Sequence, residues 1–302
     1  IYLFKILHMN SLKIANLNKT YPNGVKALDD VNLELENGMF GLLGPNGAGK
    51  SSLMRTLATL QDADSGTAHF NDIDILSQPE ELRKNLGYLP QEFGVYPRIT
   101  AEQVLDHMAV LKGITNGSER KELVNYLLNK VNLYDKRKKS VKGFSGGMKQ
   151  RVGIAQALIG NPSLIIVDEP TAGLDPGERN RFYNLLADVG TEVIVILSTH
   201  IVDDVRELCT KMAIMNFGQI VFHGAPKDAM NELRGKVYQT LISREELEDY
   251  SKNHRIISNK LIAGQPLIHV YSDSNPGAGF EEVDPNLEDV FFNKINTEGQ
   301  LV

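Results

Sequence analysis

Met39-Phe-Gly-Leu-Leu-Gly44-Pro-Asn-Gly47-Ala-Gly49-Lys50-Ser51 is the stretch on which the reading of this chain turns. Met39 to Leu43 has the length and apolar texture of a buried strand. It runs into a glycine-rich turn, after which a helix is expected from about Lys50 to Leu60. The turn matches G-x-x-x-x-G-K-[ST] in the strand–turn–helix setting that gives this pattern its meaning. Glycines let successive backbone N–H groups curl around an anionic phosphate that side chains would block. Lys50 brings a point charge to the β- and γ-phosphates, and the Ser51 hydroxyl suits Mg2+. The helix N-terminus adds its partial positive charge. A glycine-rich turn with an incidental lysine is the bland alternative. The pattern arises by chance on the order of once per hundred chains of this length, before the flanking elements are counted. The cradle for a nucleoside triphosphate is expected at Gly44, Asn46, Gly47, Ala48, Gly49, Lys50, Ser51 and Ser52.

Working outward, strand-like alternation appears at Leu12–Leu17 and Val31–Leu35. Helices are expected at 101–114 and 119–133, the second capped by Ser118, then at 147–159 and 178–189. Strands are expected at 164–168 and 193–199. This alternation implies a mostly parallel sheet with helices on both faces and a helical insertion.

Two further features sit at strand ends, where open α/β sheets place their ligands. Leu164-Ile-Ile-Val-Asp168-Glu169 closes a buried strand with two carboxylates. Asp168 offers a hard oxygen to Mg2+, and Glu169 can orient or deprotonate an attacking water. Alone, two acids at a strand end would be solvent-facing; beside a phosphate loop they read as chemistry. His200 follows the strand 193–199 and can steady the water or the γ-phosphate. Finally, Phe144-Ser145-Gly146-Gly147-Met148 opens a helix with a hydroxyl and two glycine N–H groups expected to be exposed, a second anion site or simply a cap.

In this order the motifs resemble those of the ATP-binding subunits of ABC transporters, over about residues 11–235. The resemblance assigns Gly44–Ser51 as the P-loop and Gln91 as the Q-loop residue, a further Mg2+ neighbour. Phe144–Met148 become the signature, with Ser145, Gly146 and Gly147 as its phosphate-facing part, Leu164–Glu169 Walker B, Ala172–Asp175 the D-loop and His200 the switch histidine. Tyr21 stands where the family stacks an aromatic residue on adenine. One departure is clear. The usual signature is Leu-Ser-Gly-Gly-Gln, and here Phe144 and Met148 replace its ends. The segment 87–97 and Asn286-Leu-Glu-Asp-Val-Phe-Phe292 are similar to the exporter branch for drugs, antibiotics, lipids or sodium, whose permease is a separate chain. The resemblance implies ATP and Mg2+ as cofactors and a second ATP-binding subunit, a homodimer being expected. It also implies an integral membrane permease partner and a place at the cytoplasmic face of the cell membrane.

The expected fold is therefore α/β: a P-loop NTPase core with a mostly parallel sheet, an antiparallel β subdomain, a helical insertion at about 100–145 and a small α+β appendage. The boundaries are a disordered leader over 1–8, an ATPase domain over 9–235 and an acidic C-terminal domain over 236–302. Composition fits this plan. The 302 residues hold 32 Lys+Arg against 38 Asp+Glu, a net charge of -6 that argues against a general nucleic-acid partner. Residues 236–302 carry 6 basic and 11 acidic residues, so most of that charge lies in the tail. So short a segment rarely builds a stable core unaided and is expected to pack on its own ATPase domain or a neighbouring subunit. No apolar run approaches the roughly 18 residues that span a bilayer. One cysteine, Cys209, allows no internal disulfide and fits a reducing compartment. The basic run Lys136–Lys142 reads as solvated surface, with anionic lipid or a permease loop as the alternative.

Two competing classes fare worse. Ribosome-acting relatives of this family carry two ATPase cores, and repair members carry coiled-coil arms or zinc modules, none of which is evident. A catalytically silent module would not need Lys50, Asp168, Glu169 and His200 together. If Ser145 faces a partner's nucleotide, Ser145→Ala should lower ATPase turnover in the assembled transporter. Unchanged turnover would remove the signature role.

Overall fold

The structure, a computed structural model, describes residues 9–91, 94, 98–171, 173–190 and 192–296, and every statement below concerns those residues. The leader expected over 1–8 lies outside them, as do residue 172 of the D-loop and most of 92–97.

Inward-facing Leu12, Ile14 and Leu17 on β1 (Ser11–Thr20) meet Val31, Leu33 and Leu35 on β2 (Lys26–Glu36), with Ile14 directly opposite Leu33. Strand β3 (Gly38–Leu43) leaves this layer, and α1 (Lys50–Leu57) follows it. β4 (Ser65–Phe70) and β5 (Ile73–Asp74) then complete an antiparallel sheet in the order β2-β1-β4-β5.

The next part of the chain contains α2 (Pro79–Asn85), β6 (Leu86–Leu89), α3 (Ala101–Leu111), α4 (Gly117–Lys130) and α5 (Gly146–Ala157). It continues through β7 (Leu164–Asp168), α6 (Pro176–Val189), β8 (Ile194–Thr199), α7 (Val202–Leu208), β9 (Lys211–Asn216), β10 (Gln219–Gly224) and α8 (Pro226–Glu232). The main sheet runs β10-β9-β3-β8-β7-β6, parallel throughout except for β10.

Alternation along these strands feeds two cores at once. Phe40, Leu42, Leu164, Ile166, Ile194 and Ile196 point toward α1 and the antiparallel layer. Met39, Leu43, Ile165, Val167, Val195 and Leu197 point the other way, toward α6 and α7. A strand buried on both faces needs apolar side chains at every position, which is why these segments read as continuous apolar runs. Each fully buried large side chain contributes roughly 1.5–3 kcal/mol. Cys209 lies in the second core, and burial pushes its thiol up from its ordinary value.

The helical insertion has its own core, in which Val104, Leu105, Val124, Leu127 and Leu128 pack on Val152 and Ala155 of α5. The cap of α4 differs from expectation. Asn116, not Ser118, accepts from the N–H groups of Ser118 and Glu119, because its carboxamide reaches both from an extended backbone.

Beyond α8 come β11 (Val237–Leu241), α9 (Leu247–Asn253), β12 (Arg255–Ile262), β13 (Gln265–Tyr271), β14 (Glu281–Glu282) and α10 (Leu287–Ile295), with a sheet ordered β12-β13-β11-β14. A small cluster of Tyr238, Ile242, Ile256, Ile268 and Val270 fills one side. On the other, Leu287, Val290 and Phe291 join the core behind the main sheet, so the tail packs against the chain's own ATPase core. Buried Asp289 secures α10: it closes a capping box with Asn286 and lies 2.8 Å from His269 Nδ1.

The β9–β10 hairpin turns through Phe217 and Gly218 at φ 45° and 82°, the pattern of a type I′ turn. Phe217 is 83% exposed, so its side chain gains little from this placement. Phe217→Asn would install the preferred Asn-Gly pair. It should raise the unfolding free energy by about 0.5–1 kcal/mol in denaturant titrations, and a loss of stability would contradict this account.

Candidate active site

The loop from Leu43 to Lys50 is shaped by close approach. At Gly49, φ 107°, a Cβ would lie 2.2 Å from the Ala27 carbonyl oxygen and 2.8 Å from Met215 Cε. Only glycine fits. As the residue preceding α1 it supplies no side-chain cap, so the first N–H groups of that helix are left for another acceptor. The Lys50 side chain folds back over the loop, its Nζ donating to the carbonyl oxygens of Gly44 at 2.7 Å and Pro45 at 3.0 Å. Lys50 is only 4% exposed. Burial lowers its pKa from the ordinary lysine value, while the nearby Glu169 and Asp168 carboxylates oppose that shift.

Asp168 and Glu169 diverge at the end of β7. Asp168 is buried, and its Oδ1 has no hydrogen-bond partner. Burial raises its carboxyl pKa, as does the charge of Glu169, against the hydroxyls of Ser198 and Ser51 and the charge of Lys50. An orphaned buried carboxylate oxygen is costly unless a donor or cation meets it. Beside a serine hydroxyl and a phosphate loop, that donor set fits a hard divalent cation.

Glu169 leaves the strand in the left-handed region, φ 45°, with its N–H donating to Ser198 O at 2.9 Å. Its carboxylate gathers the other groups. Gln91 Nε2 donates to Oε2 at 3.0 Å, while Oε1 stands 3.3 Å from His200 Nδ1 and 3.7 Å from Lys50 Nζ. The His200 side chain is 41% exposed, on the open side of this group.

A cleft of about 280 Å3 lies over the loop, lined by Tyr21, Val25, Ala27, residues 46–52, Gln91 and Glu169. The Tyr21 hydroxyl is tied back at 3.0 Å to both Ser52 Oγ and Gln61 Oε1, which fixes its ring at the cleft wall. A larger cavity of about 530 Å3, lined by Arg83, Tyr88, Leu111 and Lys112 among others, holds none of these groups. Size does not mark the chemistry here.

The remaining sequence-predicted residues lie elsewhere. Ser145, Gly146, Gly147 and Asp175 do not line the cleft of their own chain. Ser145 caps α5, accepting from Met148 N at 3.3 Å, and Asp175 caps α6, accepting from Glu178 N at 2.9 Å. The expectation of two exposed glycine N–H groups is only half met, because Gly147 is buried. A Cβ there would lie 2.5 Å from Glu178 Oε2. Glu178 in turn stands 3.3 Å from buried Arg151, so this glycine serves helix packing as well.

Sequence reasoning missed Asp204. It is fully buried and accepts hydrogen bonds from Thr171, Thr199 and Tyr183. The Asp203-Asp204 pair in the first turn of α7 looks like ordinary compensation of a helix dipole. The available signal was its place between Val202 and Val205 on the buried side.

Residues 28–172 match the ABC transporter family. The daunorubicin/doxorubicin resistance ATP-binding protein DrrA of Streptomyces peucetius is 31% identical over 278 residues, covering 91% of this chain and 81% of that protein. The ABC transporter ATP-binding protein NatA of Bacillus subtilis (strain 168) is 37% identical over 204 residues, covering 67% and 82%. Among solved structures, the dimeric post-hydrolysis state of the ATP-binding cassette MJ0796 bound to ADP and Pi superposes with a TM-score of 0.65 at 26% identity. It covers 71% of this chain and 98% of that one.

The loop geometry sets an ordering of variants. Gly49→Ala forces a Cβ into backbone, whereas a Cβ at Gly47 meets nothing within 4 Å. Gly49→Ala should therefore cost about 2 kcal/mol more than Gly47→Ala in thermal or denaturant unfolding. Equal losses would show that the Ala27 contact is not limiting.

Proposed function

The chain belongs to the ABC transporter family as an ATP-binding, ATP-hydrolysing subunit, and on that premise we propose a head-to-tail pair that drives export through a separate permease. The observation that carries the reading is the Glu169 carboxylate, held by Gln91 and His200 and facing Lys50 at the mouth of the phosphate loop. The loop N–H groups and Lys50 bind the β- and γ-phosphates, and Tyr21 stacks on adenine. Ser51 and Asp168, with Gln91 nearby, would hold Mg2+, which when bound would supply positive charge to neutralise the phosphoryl oxygens.

Glu169 orients a water and takes its proton as the oxygen bonds to the γ-phosphorus. The bond to the β–γ bridging oxygen breaks, and ADP leaves with that electron pair. His200 steadies the γ-phosphate and the water on the open side. Ser145, Gly146 and Gly147 supply the second wall of the site to a partner's nucleotide, which explains why they do not line their own cleft. Asp175 relays between the two sites, while Gln91 and the helical insertion pass closure to the permease at the cytoplasmic face of the membrane. Export, with a drug-like cargo, is the reading favoured by the match to the resistance protein DrrA, which at 91% of the chain must include part of the C-terminal segment.

Glu169→Gln should slow hydrolysis by about a hundredfold or more and, with ATP·Mg2+, shift the chain to a dimer in size-exclusion chromatography with light scattering. Normal turnover, or a chain that stays monomeric with ATP, would overturn the reading. Copurification with an integral membrane protein in detergent checks the permease partner.

A further inference from the structure

We propose that Asp204 is a positioning residue that sets the spacing of Glu169 and His200 by holding the residues beside each of them. The inference rests on the reading of those two groups given above.

Three hydroxyls converge on one fully buried carboxylate. Thr171 Oγ1 donates to Oδ2 at 2.6 Å, Thr199 Oγ1 to the same oxygen at 2.7 Å, and Tyr183 OH to Oδ1 at 2.5 Å. These lengths lie in the range of charge-assisted O–H···O bonds, the strong class. Among the described residues Asp204 has no ion pair, and these three hydroxyls are the side-chain donors that compensate its burial. A side chain needed only to fill space there would be apolar, because burying a carboxylate is costly.

Where the three arms lead is the informative part. Thr171 is two residues past Glu169, and Thr199 immediately precedes His200. Thr199 Oγ1 also accepts from Ile201 N at 2.9 Å, so one hydroxyl holds the chain on both sides of the histidine. Asp204 therefore grips the end of the β7 turn and the end of β8 in one hand. The 3.3 Å approach of His200 to Glu169 is bounded by that grip. The third arm, Tyr183, leads instead into the body of α6 and touches neither group.

That asymmetry supplies an internal control. Thr171→Val, Thr199→Val and Tyr183→Phe each remove one hydroxyl from the same carboxylate with little change of shape. In the full-length chain, the two Thr→Val variants should lower kcat by about tenfold or more, the usual penalty of small misplacements at a reacting centre. Their KM for ATP should stay within about twofold of wild type, because the phosphate loop is untouched. Tyr183→Phe should lower the melting temperature by a similar amount while keeping kcat within about twofold. Asp204→Asn, which can still accept from one side, should retain more turnover than Asp204→Ala.

A kcat that simply tracks melting temperature across the three hydroxyl variants would reduce Asp204 to a packing element and overturn the proposal. So would wild-type turnover in both Thr→Val variants. If Asp204→Ala does not fold, the three hydroxyl variants still decide the question. Glu169→Gln in the same assay separates the two levels. Undiminished hydrolysis there defeats the reading of the site. Abolished hydrolysis there, with normal turnover in the Thr→Val variants, defeats the Asp204 proposal alone.

Discussion

A backbone can hold a triphosphate only if it leaves its own N–H groups unspent, and much of this structure follows from that requirement. All the helices of nine residues or more, α3, α4, α5, α6 and α10, begin with a side chain that caps their first donors. The shorter helices α1, α2, α7, α8 and α9 do not, and among them only α1, after the phosphate loop, has a left-handed glycine where the cap would be. Leaving these donors open in a partly buried place demands rigid support elsewhere. Ala27 and Met215 crowd Gly49 from two other strands, and Gly218 N donates to Ala48 O from the β9–β10 turn. The loop is thus held open by its neighbours rather than by its own side chains.

The main sheet supplies that support because it is buried on both faces. Its alternating side chains anchor α1 and the antiparallel layer in front, and α6, α7 and the C-terminal helix behind. Asn216 Nδ2 also donates to Ile295 O at 3.3 Å. The hairpin that braces the phosphate loop is therefore also bonded to the last helix. The acidic tail, whose small sheet has only a modest cluster of its own, is part of the frame that carries the loop.

Most of the architecture was legible because it depends on local pattern. Glycine spacing, buried runs ending in carboxylates and the order of motifs each have a short-range signature. The misses share a different cause. Asn116 rather than Ser118 caps α4 because capping depends on backbone angles that two neighbouring polar residues do not reveal. Gly147 was read as an open donor, whereas the carboxylate it accommodates comes from Glu178, thirty-one positions along the chain. Asp204 leaves no local mark in the sequence because its three partners are scattered over Thr171, Tyr183 and Thr199. Sequence periodicity reports which face of an element is buried. It says little about which polar groups will meet there.

Glu169 occupies a left-handed backbone position, which for a residue with a Cβ carries a penalty of about 1–2 kcal/mol. Glycine or asparagine would sit there more comfortably. Selection for heat resistance alone would therefore favour replacing the very carboxylate proposed to align the water. A stabilised variant of this protein obtained without an activity filter should be suspected of inertness at this position first. Stability and turnover pull against each other at a single pair of backbone angles.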